Sequence, residues 1–410
     1  MTTIKLDPGA ALLLDALHGA GYAAYAVGGC VRDSLLGQAP HDWDLCTSAR
    51  PEQVMELFGE EKCIPTGLQH GTVTVKQGGR LYETTTFRIE GAYSDGRHPD
   101  AVHFVPDVRE DLARRDFTIN AMAYSAEEGL IDPFGGRGDL AAHLVRAVGE
   151  PERRFEEDAL RILRLYRFAA RFGFSVDPAT GAAARVLGPH LDCVSAERIQ
   201  EEMLKLLAAP APGRYLEPAV LAVILPELYP LEEPARFAES CRVIDRLAPG
   251  AENVPARLAA LLLPLGEEGT RKALRRLKCS NALTEETAVL VRETGTPGSA
   301  TDPAVSVRRL LGRYGLTAVE RLAALGAAGH PEQAADFAAR AELARQMEAD
   351  GVCCRIAQLA VNGRDLMAAG AKPGPGLRQL LEQLLEAVIT GQVPNEKQAL
   401  LAAAAQFSAS

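Results

Sequence analysis

The sequence lacks the patterns that would mark a membrane or disulfide-rich secreted protein. No apolar run reaches the roughly 20 residues that a bilayer-spanning helix needs, and acidic rather than basic residues flank the short run Leu12-Leu13-Leu14. The eight cysteines include no Cys-x-x-Cys pair, and the eight histidines show no metal-ligand spacing. We therefore expect a cytoplasmic protein with free thiols and no membrane partner.

Positive charge is also in deficit. The chain has 44 Lys and Arg against 54 Asp and Glu, which gives a net charge of −10. This balance argues against a protein that coats nucleic acid indiscriminately, but it permits one that binds a single RNA through a local basic patch. The 410 residues are too many for one ordinary core, so two to four domains are expected.

The secondary-structure pattern changes near residue 140. Before it, strand-like runs alternate with helical segments, which predicts an α+β domain. After it, Ala, Leu, Arg and Glu dominate and the pattern is almost purely helical. The predicted strands are residues 25–27, 43–46, 71–76, 81–87 and 102–105, and the predicted early helices are residues 7–20, 31–36 and 50–58.

The segment Asp42-Trp43-Asp44 carries the clearest chemical signal. Residues i and i+2 of a strand point to the same face, so a strand here would place the two carboxylates side by side. Such carboxylates repel each other unless a cation lies between them. Hard oxygen ligands of this kind suit Mg²⁺, which completes its coordination with water and substrate phosphate.

Gly28-Gly29, followed by a predicted helix, is typical of a phosphate-binding turn. Glycine lets backbone N–H groups approach a phosphate closely, and the start of a helix favours negative charge. Gly-Gly and Asp-x-Asp are each common alone. Together, with Arg32 between them, they indicate nucleotide chemistry.

Other polar residues could complete such a site. Glu83 becomes a third acidic group if its strand lies beside the two aspartates. The planar fork of Arg115 suits a polyphosphate, and Asp116 can accept a hydrogen bond from a ribose hydroxyl. The polar, glycine-containing run 88–99 is either an ordinary surface loop or a mobile active-site loop.

A strongly helical run follows from Glu157 to Arg171, and its arginines fall on one face. This face is either a solvated basic stripe or a surface for an anionic partner. Asp158 and Arg161 are one helical turn apart. One carboxylate with one guanidinium fits the edges of cytosine and adenine and leaves unpaired groups against uracil and guanine.

These motifs together resemble the class II CCA-adding enzymes, the tRNA nucleotidyltransferase and poly(A) polymerase family, in the bacterial type without an HD domain. The resemblance is close over the first ~205 residues and looser beyond them. It rests on five segments in family order: Gly28-Gly29-x-Val31-Arg32-Asp33 with Asp42-x-Asp44, Arg114-Arg115-Asp116-Phe117-Thr118-x-Asn120, Asp132-Pro133-Phe134-Gly135-Gly136, Glu157-Asp158-x-x-Arg161, and Ser195-Ala196-Glu197-Arg198-Ile199-x-x-Glu202-x-x-Lys205.

The resemblance implies an α+β fold, with a polymerase-β-like nucleotidyltransferase head built on a mixed β-sheet and an all-α remainder. The implied domains are a head (1–140), a neck (141–208), a body (209–345) and a tail (346–410). It also implies a reaction: template-independent addition of CCA to the 3′ end of tRNA from CTP and ATP, with pyrophosphate released. The acceptor arm of tRNA would be the partner, and the protein would be a monomer or a homodimer.

Residue roles follow from the same resemblance. Asp42 and Asp44 would hold Mg²⁺ and serve catalysis together with Glu83. The nucleotide, ATP or CTP, would be bound by residues from the glycine turn, the Arg-Arg-Asp segment and the helix: Gly28, Gly29, Arg32, Arg115, Asp116, Asn120, Asp158, Arg161, Arg164 and Arg167.

Three alternatives remain open to different degrees. An A-adding enzyme fits the same motifs, whereas a CC-adding enzyme is expected to lack the loop 88–99. A bacterial poly(A) polymerase shares the head motifs, but a long basic C-terminus typical of it is missing here. A non-catalytic RNA-binding relative would be expected to have lost Asp42 or Asp44. Basic clusters at 271–278 and 308–313 could contact tRNA phosphates or be solvated helix faces.

Overall fold

The computed structural model describes residues 3–91, 102–228, 234–295 and 302–407. The chain forms two compact units, residues 1–232 and 233–410. The predicted loop 88–99 lies largely outside the described residues, apart from a short strand at its start. No helix in the described part of the chain combines the length and apolar character needed to cross a bilayer.

The first unit combines strands with helices. Its strands are Ala24–Val27 (β1), Leu45–Thr47 (β2), Cys63–Gly67 (β3), Thr72–Gln77 (β4), Arg80–Thr86 (β5), Arg88–Glu90 (β6), Val102–Phe104 (β7), Ala123–Ser125 (β8), Gly129–Ile131 (β9), Leu144–Val145 (β10) and Ser175–Val176 (β11). Its helices are Pro8–Gly19 (α1), Gly29–Leu35 (α2), Pro51–Phe58 (α3), Val108–Ala113 (α4), Gly136–Ala141 (α5), Pro151–Glu157 (α6), Leu160–Phe172 (α7), Pro178–Leu187 (α8), Ala196–Leu207 (α9) and Pro218–Ile224 (α10).

Among the described residues, seven of these strands form one sheet in the order β3-β4-β5-β2-β1-β8-β9. The β2–β5 pair is parallel and the other neighbours are antiparallel, so the sheet is mixed, as predicted. Strands β6 and β7 form a separate hairpin. The apolar face under the sheet includes the fully buried Phe87 and Leu112, and Tyr25 stacks on Phe87 with ring centroids 6.1 Å apart.

The predicted strand 43–46 is displaced in the structure. Strand β2 begins only at Leu45, so Asp42 and Asp44 lie in the segment that leads into it. The alternation that motivated the prediction is retained, because Trp43 is buried while both aspartates are exposed. A hydrogen bond of 2.9 Å from the Val27 amide to the Asp44 carbonyl fixes this segment beside β1.

The second unit is helical throughout its described residues. Its helices are Pro234–Arg246 (α11), Val254–Leu262 (α12), Gly266–Arg276 (α13), Asn281–Gly295 (α14), Pro303–Tyr314 (α15), Leu316–Gly329 (α16), Ala334–Ala349 (α17), Gly363–Ala368 (α18), Pro375–Ile389 (α19) and Lys397–Phe407 (α20). One apolar cluster joins α15, α16 and α17, and another joins α18, α19 and α20. The predicted switch from mixed to helical structure is therefore confirmed, with β10 and β11 as two-residue exceptions in the first unit. The finer division into neck, body and tail stays a prediction.

Candidate active site

The first element of the candidate site is a turn at Gly28, just before α2. Gly28 has a positive φ of 77° and is the residue before α2. An added Cβ there would lie 3.0 Å from a guanidinium nitrogen of Arg115. Glycine is needed both for the backbone conformation and for the close approach of this arginine. The turn thus brings the start of α2 against the Arg-Arg-Asp segment.

Arg32, on α2, is anchored from several sides. Its side chain donates to the Asp33 carboxylate (2.7 Å) and to the Asn120 side-chain oxygen. The residue is only 4% exposed. Burial lowers the pKa of the Arg32 guanidinium, and the neighbouring Asp33 carboxylate opposes that shift. The Arg32 guanidinium is therefore held in a fixed position, and it lines the cavity described below.

Acidic groups lie close together just before β2 and in the middle of β5. The parallel register pairs Leu45 with Thr84, so Asp44 and Glu83 precede paired residues of adjacent strands. The strand that carries Glu83 therefore lies beside the aspartates, which was the condition for Glu83 to be a third acidic group. Partial desolvation, together with the Glu83 and Asp42 carboxylates, raises the pKa of Asp44 to about 6, while Arg115 opposes the shift. The more exposed Asp42 contacts His41 at 2.9 Å.

These acidic groups do not form a preassembled three-ligand cage. Within the described ranges, no cluster of three or more His, Cys, Asp or Glu side chains is arranged to hold a metal ion. The Asp44 carboxylate nevertheless forms no hydrogen bond or ion pair with the described residues, and its raised pKa reflects desolvation first and then the neighbouring Glu83 and Asp42 carboxylates. This oxygen-only donor set fits a hard divalent cation that keeps water or substrate ligands.

Asp111 organises the Arg-Arg-Asp segment and was missed in the sequence analysis. Its carboxylate is 0% exposed and pairs with Arg114 (2.8 Å) and Arg115 (3.2 Å). Burial alone would raise the pKa of Asp111, but the two guanidinium groups outweigh it and lower the pKa. The signal was present in the sequence, because residues three and four apart on a helix are neighbours.

The helix predicted from Glu157 onward is interrupted. Helix α6 ends at Glu157, and Asp158 has extended backbone angles (φ −149°, ψ 102°) before α7 begins at Leu160. The Asp158 carboxylate accepts from the Leu160 amide (3.1 Å) and from Arg198 of α9 (2.8 Å). The continuous-helix prediction was wrong because this tertiary contact with Arg198 leaves no signal in the local sequence.

Asp158 and Arg161 therefore have separate protein partners. Arg161 pairs with Glu157 (2.8 Å) and donates to the carbonyl oxygens of Arg154 (3.2 Å) and Arg114 (3.1 Å). Both side chains line the same cavity, but no direct hydrogen bond or ion pair links them in the described structure.

The arginines of α7 are paired with carboxylates of the protein. Arg164 donates two hydrogen bonds to one oxygen of Asp116, at 2.6 and 2.9 Å. Arg167 pairs with Glu202 of α9, and Arg171 contacts Asp33 at 3.3 Å. Of the two alternatives for this face, a fully solvated stripe does not describe Arg164 and Arg167, because carboxylates of the protein supply their counter-charge.

One open cavity of about 730 Å³ brings these groups together. Twelve of the thirteen residues that the sequence analysis selected line it, and the exposed Asp42 is the exception. Residues that line it without having been assigned a role are Thr66, Gly67, His70, Thr72, Arg88, Arg114, Phe168 and Arg171. Among the described residues, eight arginines and four carboxylates line this cavity, and this local excess of arginine favours an anionic ligand.

Family models match three parts of the chain. The model described as "Poly A polymerase head domain" matches residues 24–146. The model described as "Probable RNA and SrmB- binding site of polymerase A" matches residues 173–231. The model described as "tRNA nucleotidyltransferase domain 2 putative" matches residues 252–404. The head match contains the glycine turn, the acidic groups and the Arg-Arg-Asp segment.

Full-length relatives and a solved structure agree with these matches. The CCA-adding enzyme of Limosilactobacillus fermentum is 37% identical over 400 residues, 96% of each chain. That of Geobacillus stearothermophilus is 38% identical over 390 residues, 93% of this chain and 92% of the relative. The crystal structure of the Bacillus stearothermophilus CCA-adding enzyme in complex with CTP superposes with a TM-score of 0.80 at 33% identity, over 98% of each chain. The chain therefore belongs to the CCA-adding enzymes, a family of tRNA nucleotidyltransferases.

Proposed function

We propose that this cavity adds C, C and A to the 3′ end of tRNA from CTP and ATP, with no nucleic-acid template. The observation that carries the proposal is that one cavity brings together three groups of residues. They are an arginine wall that includes Arg32 and Arg115, an acidic end formed by Asp44 and Glu83, and the pair Asp158 and Arg161. The first binds triphosphate, the second supports phosphoryl transfer and the third selects the base. An enzyme that acts on tRNA would be expected in the cytoplasm.

The glycine turn and the arginines around it are proposed to bind the triphosphate. Gly28 and Gly29 leave room for phosphate, while Arg32 and Arg115 supply fixed positive charge. Asp116 is pre-oriented by the Asn120 amide (3.0 Å) as well as by Arg164, which suits it to accept from a sugar hydroxyl. Because these side chains are already held by neighbours, little ordering is needed when a nucleotide binds.

Asp42 and Asp44 are proposed as the residues that hold Mg²⁺, with Glu83 beside them. The family uses a divalent metal, and the oxygen donors and raised pKa of Asp44 fit Mg²⁺. When bound, the ion would stabilise charge on the reacting phosphate oxygens. Protonation of Asp44 below pH 6 competes with any such cation.

The reaction is a nucleotidyl transfer. The tRNA 3′-oxygen forms a bond to the α-phosphorus of CTP or ATP, the bond from that phosphorus to the bridging oxygen breaks, and pyrophosphate leaves. The arginine wall orients the triphosphate for in-line attack and stabilises the negative charge on the departing pyrophosphate.

Base selection is assigned to Asp158 and Arg161. Cytosine and adenine each present an amino donor beside a ring-nitrogen acceptor, which a carboxylate and a guanidinium can pair. Uracil and guanine present the reverse order and would leave buried groups unpaired. Arg198 and Glu157 hold the two side chains in place before a base arrives.

A tRNA end-extension assay tests the proposal. Purified protein is given tRNAs that end at the discriminator base, at C or at CC, with Mg²⁺ and with CTP and ATP separately and together. Stepwise addition that stops at CCA is the expected result. Addition of A alone to the CC end, or a long A tract, would replace the proposal with an A-adding enzyme or a poly(A) polymerase.

A substitution of Asp158 tests the proposed base selection separately. Asp158→Ala removes the carboxylate, so the preference for CTP and ATP over UTP and GTP should fall by at least about tenfold, the equivalent of one unpaired buried group. Glu56→Ala, an exposed carboxylate on α3 outside the cavity, is the control and should leave selectivity unchanged. Unaltered selectivity in Asp158→Ala would contradict the assignment.

A further inference from the structure

Phe168 lies where arginines from two elements meet. Its ring, on α7, is 4% exposed and lines the cavity. The guanidinium carbon of Arg167 lies 4.0 Å from the ring centroid, that of Arg32 5.3 Å and that of Arg164 5.6 Å. Arg32 comes from α2, so one aromatic ring connects the glycine-turn helix with the arginine face of α7.

Neighbouring rings fix the orientation of Phe168. Phe172, one turn later on α7, lies 6.2 Å away with nearly parallel planes (3°), and its ring centroid is 4.8 Å from Arg32. Phe117 packs edge-on at 5.7 Å and 77°. The Phe168 ring is therefore held in place by packing that is independent of the arginines.

The ring and the carboxylates act on different parts of each arginine. A guanidinium makes hydrogen bonds through its edge and stacks through its face. Asp116, Glu202 and Asp33 occupy edge positions on Arg164, Arg167 and Arg32 respectively. The aromatic face attracts the same cations, and this attraction is strongest where water is excluded.

We propose that Phe168 is a positioning residue for nucleotide binding, acting through Arg32, Arg164 and Arg167 on the triphosphate and sugar. The proposal deepens the function proposed above and rests on it. Asp158 and Arg161 make no ring contact with Phe168 among the described residues. Phe168 should therefore set the affinity for the phosphate part of the nucleotide and leave the choice of base unchanged.

The test compares Phe168→Leu with the wild-type full chain. Leucine keeps an apolar side chain but removes the aromatic face, and the loss of three such contacts should raise the KM for CTP and for ATP by about tenfold each. Inhibition by inorganic tripolyphosphate, a probe without a base, should weaken by a similar factor. The preference for CTP and ATP over UTP and GTP should stay as in the wild type.

A matched control separates this effect from loss of core packing. Phe174 has the same exposure of 4% and stacks on His143 at 5.0 Å, with no arginine over its ring in the described structure. Phe174→Leu should leave the KM values and tripolyphosphate inhibition near wild type. Phe172→Leu, at a half-buried position, gives a second variant that should raise both KM values by a smaller factor if Phe168→Leu does not fold.

Two results would overturn the inference. One is a Phe168→Leu enzyme, or in its place Phe172→Leu, whose KM and tripolyphosphate inhibition match those of Phe174→Leu. The other is a parallel loss of base selectivity and affinity, which would indicate general disorder of the site. Failure of the proposed function is distinguishable, because it would show in the wild type itself as extension that does not proceed stepwise to CCA, whatever the effect of Phe168→Leu.

Discussion

Charged side chains in the cavity are held in opposite pairs before any nucleotide binds. Arg164 has Asp116, and Arg161 has Glu157, each partner being largely buried. Removing one member of such a pair leaves the other as an uncompensated buried charge, which costs more than losing an exposed pair. Substitutions here are therefore expected to change both stability and activity.

The acidic end of the cavity gives a prediction about catalysis. Asp44→Ala and Asp42→Ala each remove an oxygen donor for the proposed metal, which should lower nucleotide addition by at least about a hundredfold. Because neither carboxylate supports the fold, the melting temperature should stay near the wild-type value. Single-nucleotide extension and thermal unfolding measure the two effects. Near-wild-type activity in either variant would remove that aspartate from the metal site.

Asp116 gives a prediction about pH. Burial alone would raise its pKa, but the Arg164 guanidinium and the Asn120 amide outweigh burial and lower the pKa from 3.8 to about 2. A lowered carboxyl pKa stabilises the fold above pH 4, and this contribution is lost as the pH falls through 2. Asp116→Asn should therefore lower the free energy of unfolding by about 2 kcal/mol at pH 6.

Repeating the unfolding measurement at several pH values tests whether the effect of Asp116→Asn comes from the charge of Asp116. The difference between the wild type and Asp116→Asn, measured by urea unfolding, should shrink steadily between pH 4 and pH 2. A difference that stays constant over this range would show that the ion pair with Arg164 does not stabilise the protein.

At the scale of elements, the sequence predicted what depends on local pattern. The glycine turn, the strand that carries Glu83 and the helices on either side of Asp42 were found from periodicity and turn residues. The break between α6 and α7 was not, because no glycine or proline marks it. Asp158 leaves the helical conformation and binds Arg198, 40 residues along the chain.

Long-range partners explain most of the remaining gaps in prediction. Arg32 meets Asn120, 88 residues away, and Arg164 meets Asp116, 48 residues away. The sequence shows that the arginines of α7 share one face, but nothing local shows which carboxylates approach that face. The candidate residues were therefore predictable from motifs, whereas their pairing was not.

Helix α5 gives a prediction about packing. A Cβ at Gly136 would lie 2.2 Å from the backbone oxygen of Thr118, which cannot move aside cheaply. Gly136→Ala should therefore destabilise the first unit by about 1–3 kcal/mol, as overpacking does. Gly138→Ala, on the same helix with open space around it, should be neutral or stabilise by up to about 1 kcal/mol. Equal unfolding free energies for the two variants would contradict this.

At the scale of the whole molecule, charge is distributed unevenly. The chain carries a net charge of −10, yet eight arginines of the part that the structure describes line one cavity. Basic clusters in the second unit are partly neutralised: Arg271 pairs with Glu267 (2.6 Å) and Glu285 (2.8 Å), and Arg309 pairs with Glu386. An RNA must therefore be bound by local patches on an acidic surface.

This distribution predicts that tRNA binding depends strongly on salt. Phosphate contacts release counterions, so the Kd for tRNA should rise at least about tenfold between 50 and 200 mM salt. Filter binding or fluorescence anisotropy measures the constant, and thermal unfolding over the same salt range shows that the fold is unchanged. A Kd that does not vary with salt would contradict the expected reliance on phosphate contacts.

The parallel pairing of β2 with β5 also has a consequence for how the protein folds. Strands β3 and β4 lie between them in the chain, so Asp44 and Glu83 meet only after this intervening segment has crossed over and closed. Contacts between residues so far apart in sequence form slowly. The growing sheet must also overcome the repulsion between the two carboxylates. We therefore expect the acidic site to form late in folding, so that a cation bound there would stabilise the finished sheet rather than direct its assembly.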